Sequence, residues 1–488
     1  MKKYLFWFAH EHIDFRLPEM ESIFYMFGLK LPQISKRDQV RESGKLFDRF
    51  VLPYPQPYWI VDISSEKTVH KIASRAVSLR FCLELWANGK NNEELHNNLK
   101  SYPLEQIKLY ADKEKSFKII VETFCKHFSQ SEKIQKIESF SYLPLQGPVK
   151  LKDPDTTLYY IEFYGLDPNE IPDKAYELFF GRWVKFLILL SRIAHGQRDL
   201  IQKFSLKRRK FIGNTSMDPQ LSLIMANQAQ IKTGDIVLDP FVGTGSLLVA
   251  ASHFGGYTLG TDIDFLMLHG RTRPTRIKQK IREKDENVAA NMEQYGRSSY
   301  YIDVVISDFS YPLWKSDMFI DAIITDPPYG IRESTERIGT MKANPVIEEH
   351  QVSTHIPSKV EYGLPQIYKD LLNFAAKHLK ITGRLVCWYP IFRDQYSTDQ
   401  LPIHPCLRLI ANSEQVLSNY TSRRLLTYEK VKEPQETDDI NSICLTDFRE
   451  KYFALRDETR KERRMKKAIE RAKKKENWEK SNGESMER

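Results

Sequence analysis

Five consecutive residues, Asp326-Pro327-Pro328-Tyr329-Gly330, carry the most pointed chemistry in the sequence. An amine attached to a nucleobase ring is a poor nucleophile, because its lone pair is delocalised into the ring. A carboxylate and a backbone carbonyl that accept its two N–H bonds localise that pair toward an incoming methyl group. Asp326 supplies the first acceptor and the carbonyl of Pro327 the second. Pro327 and Pro328 fix φ and leave carbonyls outside any ladder. Tyr329 offers a ring face on which a base can stack, worth on the order of 1–3 kcal/mol. The remaining requirement is alignment with the methyl donor. The same residues also suit an ordinary turn after a strand. What lies upstream separates the two readings.

Upstream stands Asp239-Pro240-Phe241-Val242-Gly243-Thr244-Gly245, at the end of an apolar strand and the start of a helix. Gly243 and Gly245 let the backbone turn sharply and approach a ligand without a Cβ in the way. Asp262 follows Asp239 by 23 positions at the end of the next strand. An acidic residue there accepts hydrogen bonds from ribose hydroxyls. Asp308 ends a third strand and suits the exocyclic amine of an adenine. A nicotinamide dinucleotide is the rival ligand. However, Leu248 stands where the third glycine of that fingerprint belongs, and Asp239 repels a pyrophosphate. S-adenosylmethionine carries no phosphate and fits better.

These residues need a sheet to bring them together. From about residue 201 onward strands and helices alternate: helix 220–227, strand 236–238, helix 247–254, strand 258–261, helix 285–295, strands 304–307 and 322–325, helix 364–379 and strand 384–389. Alternation of this kind predicts right-handed crossovers and a mostly parallel, doubly wound sheet. The segment 331–363, with Arg332, Arg337 and Lys342, reads either as a flap over the substrate or as a solvated loop. A basic cluster, Lys207–Lys210, precedes the domain. The first 180 residues mix strands (4–9, 59–63, 117–122, 157–163) with helices (18–27, 73–88, 92–99), an α+β region without a catalytic cluster. His10 and His12 alternate on the first strand, with no partners that would make them ligands or bases, and are read as structural.

The 488 residues exceed one ordinary core, so two or three domains are expected. The net charge of +9 and pI near 9.0 favour an acidic partner, nucleic acid foremost. Part of that charge sits in a tail, residues 449–480, rich in Lys, Arg and Glu and too polar to build a core. It reads equally as a phosphate-contacting arm and as a solvated helix. Five scattered cysteines (Cys82, Cys125, Cys387, Cys406, Cys444) form no CxxC pair, so neither a disulfide framework nor a zinc site is suggested, and a reducing compartment fits. No metal ligand set is expected. The amino-terminal apolar run is broken by His10, Glu11, His12 and Asp14, so it reads as a buried strand, not a signal peptide. No stretch approaches the roughly 20 apolar residues of a membrane span.

At this point the sequence resembles the catalytic subunits of tRNA (guanine-10-N(2))-methyltransferase, a THUMP-containing amino-methyltransferase family. The resemblance rests on FIGNTSMD (211–218), LDPFVGTG (238–245), GTDID (260–264), ITDPPYGIRES (324–334), LLNFAAKHL (371–379) and TSRRLLTYEKV (421–431), with HEHIDFR near the amino terminus. It implies a Rossmann-like methyltransferase domain (206–447) behind a ferredoxin-like and THUMP-like tRNA-binding region (1–180), joined by a linker (181–205) and followed by the basic tail (448–488). It implies Asp239, Phe241, Gly243, Gly245, Asp262 and Asp308 at the cofactor and Asp326, Pro327, Pro328 and Tyr329 at the target amine. It further implies tRNA as substrate, a small zinc-binding activator subunit as partner and a cytoplasmic setting. The sequence departs from the family where VKFLILLSR (184–192) separates FGRW (180–183) from IAHGQR (193–198). Two alternatives remain open from the residues alone: methylation of another nucleic acid, such as ribosomal RNA guanine or DNA adenine, and a catalytically silent RNA-binding scaffold.

Overall fold

The computed structural model describes residues 1–29, 56–167, 169–184, 186–188, 191–193, 196–277, 279–283, 285–311, 313–341, 357–435, 438, 447–456 and 465. Lys342, Cys444 and most of the basic tail lie outside the described residues.

Strands β1 (Lys2–Phe8), β2 (Tyr58–Ile63), β3 (Leu79–Gly89), β4 (Phe117–Phe124), β5 (Thr156–Phe163) and β6 (Glu177–Trp183) form one sheet in the order β2-β1-β3-β6-β5-β4. The expected helix over 73–88 is wrong. Its helix ends at Ala73 (Glu66–Ala73), and Leu79–Gly89 is a strand at the centre of the sheet. The error has a physical cause: β3 is buried on both faces, so its apolar run lacks the alternation that marks a half-exposed strand. His10 and His12 also miss their strand, which stops at Phe8. His10 lies edge-on to Phe124, and His12 adopts φ 52° ahead of the turn Ile13–Phe15.

The sheet extends to Trp183, beyond the expected boundary at residue 180. Most of the insert, together with Ile193, lies in a small hairpin, β7 (Phe186–Ile188) against β8 (Ser191–Ile193).

The second sheet contains β9 (Ile236–Asp239), β10 (Tyr257–Asp262), β11 (Tyr301–Ile306), β12 (Ile320–Thr325), β15 (Leu379–Phe392), β16 (Leu407–Val416) and β17 (Thr421–Lys430), in the order β11-β10-β9-β12-β15-β17-β16. The first five run parallel; β17 inserts antiparallel between β15 and β16. Helices Pro219–Gln228, Ser246–His253, Val288–Gln294 and Leu364–His378 belong to this unit, and apolar clusters lie on the two faces of the sheet. The chain leaves β9 for helix Ser246–His253 and returns in β10, which places the glycine turn at the carboxyl edge. The strands β13 (Glu336–Ile338) and β14 (Lys359–Glu361) pair as a separate ribbon within the segment 331–363.

The expected tail also differs. Residues 448–456 are helical, Phe448 is buried against Phe392, and Tyr452 and Leu455 pack on the same apolar cluster. The first turns of the tail therefore belong to the methyltransferase core.

The two sheets are joined by buried polar contacts. The Glu19 carboxylate accepts the amides of Val77 (2.8 Å) and Ser78 (3.0 Å) and, from the second unit, Asn227 Nδ2 (2.7 Å). Arg384 reaches back to Ser22 Oγ (3.0 Å) and to the carbonyl of Gln228 (2.8 Å). Such groups lose their hydration on burial, so the junction is stable only with these bonds made.

Candidate active site

The carboxyl edge of the second sheet opens into a cavity of about 490 Å³. One wall carries Asp239, Phe241, Gly243 and Thr244; another carries Asp326, Pro327, Pro328 and Tyr329. The two motifs share one cavity because β9 and β12 are hydrogen-bonded neighbours, so their last residues emerge side by side.

Asp239 is buried, and its Oδ1 accepts Thr325 Oγ1 at 2.7 Å and the amide of Phe241 at 3.1 Å. Burial is the main reason its carboxyl is pushed up to about 7; Asp262 and Asp326 add to it. Gly243 has φ +47° and no atom within 4 Å of where a Cβ would stand, so the turn presents bare backbone to open space. Gly245 has φ +73°, and a Cβ there would come within 2.6 Å of Val288. It shapes the turn and is not itself on the cavity wall.

Asp262 accepts the amides of Gly243 and Asp264, each at 2.9 Å, one per oxygen. It thereby pins the glycine turn while each oxygen keeps a second lone pair. Asp308 takes the amide of Ser310 at 2.8 Å on one oxygen and that of Ile338 on the other, tying the β13 ribbon to the sheet edge. Neither Asp262 nor Asp308 lines the cavity itself.

Asp326 accepts the Tyr329 hydroxyl on Oδ1 and Arg423 Nη1 on Oδ2 at 2.9 Å. Burial raises its carboxyl above the usual range, and Arg423 and Tyr329 oppose that shift. Tyr329 is partly buried and packs on both apolar clusters of the domain.

Several lining residues had no role in the reading of the sequence. Asn214 to Asp218 approach from the segment before helix Pro219–Gln228, and Thr215 donates to Glu333 across the cavity mouth. Phe448 and Tyr452 come from the tail helix, and Arg423 from β17. The motifs 211–218 and 421–431 contain the first group and Arg423, though without a role for Arg423; nothing local marked Phe448 or Tyr452. Within the basic cluster 207–210, Arg209 is buried and donates to Ser246 Oγ (2.7 Å) and the Phe204 carbonyl (3.0 Å), so it serves packing of the domain.

The donor set fits S-adenosylmethionine. Asp239, Asp326 and Glu333 gather carboxylates around the cavity, each raised by burial, and a sulfonium with its ammonium group relieves that repulsion. Among the described residues no cluster of His, Cys, Asp or Glu is placed to hold a metal ion, and no helix is long and apolar enough to cross a membrane.

Residues 47–187 match the family described as the Tmrp11 THUMP N-terminal domain, and residues 207–343 the RMKL-like methyltransferase domain. The chain is 44% identical over 464 residues to the Bos taurus protein named tRNA (guanine(10)-N(2))-methyltransferase TRMT11, covering 93% of this chain and 95% of that one. It is 37% identical over 452 residues to the Dictyostelium discoideum protein of the same name, covering 89% and 83%. Among solved structures, TrmN from Thermus thermophilus aligns with a TM-score of 0.41 at 16% identity, covering 88% of this chain and all of that one. The chain belongs to the TRMT11 family of tRNA (guanine(10)-N(2))-methyltransferases.

Proposed function

We propose that this chain is the catalytic subunit of an enzyme that methylates the 2-amino group of guanosine 10 in tRNA, with S-adenosylmethionine as donor. The carrying observation is the single cavity shared by the glycine turn after β9 and by Asp326 to Tyr329 after β12. Bound there, S-adenosylmethionine supplies an electrophilic methyl group on a sulfonium.

The chain's own residues do the rest. Asp239, Phe241 and Gly243 hold the cofactor, with Gly245 shaping the turn and Asp262 and Asp308 behind it. Asp326 and the carbonyl of Pro327 accept the two N–H bonds of the guanine amine and turn its lone pair toward the methyl group. The amine must shed one proton when the new N–C bond forms, and the Asp326 carboxylate is the group placed to receive it. Its burial raises its proton affinity and suits it to that task. Pro328 and Tyr329 wall the base. The amino-terminal region grips the tRNA, helped by the net charge of +9.

The protein acts in the cytoplasm with a small zinc-binding activator subunit. In support, among the described residues edge strand β11 is bonded only on its β10 side, and Ile302, Val305 and Ile306 are exposed along it. An open, apolar strand edge is the kind of surface a partner covers. The test is mass spectrometry of tRNA nucleosides, with mapping of position 10, after the protein is removed from its cell and restored. N(2)-methylguanosine at position 10 is expected to vanish and return; an unchanged tRNA with altered ribosomal RNA or DNA would reassign the substrate.

A further inference from the structure

We propose that Arg423 is a positioning residue that fixes the orientation of Asp326, braced through Trp388 by Phe15 of the amino-terminal domain, so that seating of that domain and alignment of the amine-holding carboxylate are coupled. This rests on the methyltransferase reading above.

Arg423 is fixed on every side. Its Nη1 donates to Asp326 Oδ2 at 2.9 Å, its Nε to Gln415 Oε1 at 2.7 Å, and its Nη2 faces Met217 Sδ at 3.5 Å. The guanidinium lies over Trp388, 4.0 Å from the ring centroid. A planar fork with one stacked face and three partners has little freedom left, and lysine cannot reproduce it. An ionised carboxylate offers about four acceptor directions. Arg423 occupies one on Oδ2 and the Tyr329 hydroxyl one on Oδ1, which leaves one defined direction on each oxygen for the amine.

The brace comes from the other domain. Trp388 meets Phe15, fully buried, with ring centroids 5.8 Å apart. The turn that carries Phe15 is bonded to β16: Ser413 Oγ donates to the Asp14 carbonyl at 2.9 Å, and the Glu414 amide to the Asp14 carboxylate at 3.3 Å. Gln415, the partner of Arg423, is the next residue on that strand. A shift of the amino-terminal domain therefore moves both supports of Arg423. Strand alternation supplies an internal control. Arg424 does not bond Asp326; it binds Asn412 Oδ1 at 2.6 Å, pairs with Glu414 Oε2 at 3.5 Å and lies over Tyr396, contacts a lysine there can keep in part.

The groups facing Asp326 are Arg423 and Tyr329 in direct contact, with Asp239 (β9), Glu333 (after the motif), Tyr368 (helix Leu364–His378) and Cys387 (β15) around it. Arg332 and Asp218 line the same cavity, and His12 lies near both Asp218 and Arg423. Arg423 is the cation bonded to the carboxylate, so its removal leaves burial and the neighbouring acids to raise Asp326 further.

The experiment is steady-state methyl transfer to tRNA by the full chain with its activator, across pH, for wild type, Arg423→Ala, Arg423→Lys, Phe15→Ala and Arg424→Lys. Calorimetric S-adenosylmethionine binding serves as the check on folding. Arg423→Ala is expected to lower kcat at least about tenfold, with little change in the cofactor KM, and to move the acidic limb to higher pH. Arg423→Lys should keep the limb near its wild-type position while losing part of kcat. Phe15→Ala should lower kcat by a smaller factor, and Arg424→Lys should match wild type. An unchanged kcat and limb in whichever Arg423 variant binds cofactor overturns the proposal, as does a loss confined to cofactor KM. A wild-type protein that transfers no methyl group to tRNA sinks the methyltransferase reading itself.

Discussion

The two halves of the cavity are assembled in different ways. On the cofactor side, the glycine turn and Asp262 are held by amides close at hand, Phe241 on Asp239 and Gly243 and Asp264 on Asp262, with a more distant bond from the Thr325 hydroxyl on the neighbouring strand β12 to Asp239. On the amine side, Asp326 depends on Arg423, 97 residues away, and the wall includes Phe448 and Tyr452 from the far end of the chain. A turn that is self-sufficient tolerates change elsewhere. A carboxylate held by distant strands reports on how the whole molecule is seated. Substitutions on the cofactor side should therefore act on cofactor affinity, and those on the amine side on the rate of transfer.

The largest effect expected on the cofactor side is from Gly260→Val. A Cβ at Gly260 would stand 2.5 Å from Val242 Cγ2, so any side chain there pushes the turn away from β10. Overpacking of this kind costs about 1–3 kcal/mol and should weaken S-adenosylmethionine binding by roughly five- to 150-fold, read by calorimetry. A variant that binds normally but transfers slowly would erase the proposed division between the halves.

Next comes the tail. A chain ending at residue 447 should melt at lower temperature and methylate tRNA slowly, because it lacks Phe448 and Tyr452 on the cavity wall. A chain ending at residue 456 should keep its melting temperature and kcat and lose at most some salt-sensitive affinity for tRNA. Identical behaviour of the two truncations, by melting and kinetics, contradicts the structural role given to residues 448–456.

The smallest effect is a pH dependence. Burial pushes the Asp239 carboxyl up to about 7, well above its unfolded value. Between about pH 4 and 7 the unfolded chain is ionised there while the folded chain holds the proton, so this group lowers stability as pH rises, and its contribution levels off above 7. A cationic ligand favours the ionised form, so cofactor affinity should rise with pH through about 7. Asp239→Asn should flatten that rise. A variant retaining the full slope would show that another group carries it.

The sequence made the local half legible. Asp239, Gly243, Asp262 and Asp326 were recognisable because strand, turn and residue type coincide within a few positions. That β9, β10, β11, β12 and β15 run parallel was expected from the alternation of strands with helices; their order in the sheet was not. What escaped notice was long-range. Arg423 lies within the motif 421–431, but its partner was not legible there, because only the insertion of β17 beside β15 brings it to Asp326. Phe448 heads a charged tail whose composition argues against burial, yet one aromatic turn finds an apolar wall. Leu79–Gly89 was misread because burial on both faces removes the alternation that distinguishes strand from helix.

The central claim is that Asp326 holds the reacting amine and does not hold the cofactor. The direct measurement is single-turnover transfer of labelled methyl groups to tRNA by Asp326→Ala and wild type, each first shown to bind S-adenosylmethionine. Cofactor binding should persist while the transfer rate falls roughly a hundred- to a thousand-fold, the scale of losing one preorganised polar contact at a reacting centre. Transfer at the wild-type rate, or a loss explained wholly by failure to bind cofactor, would contradict the account.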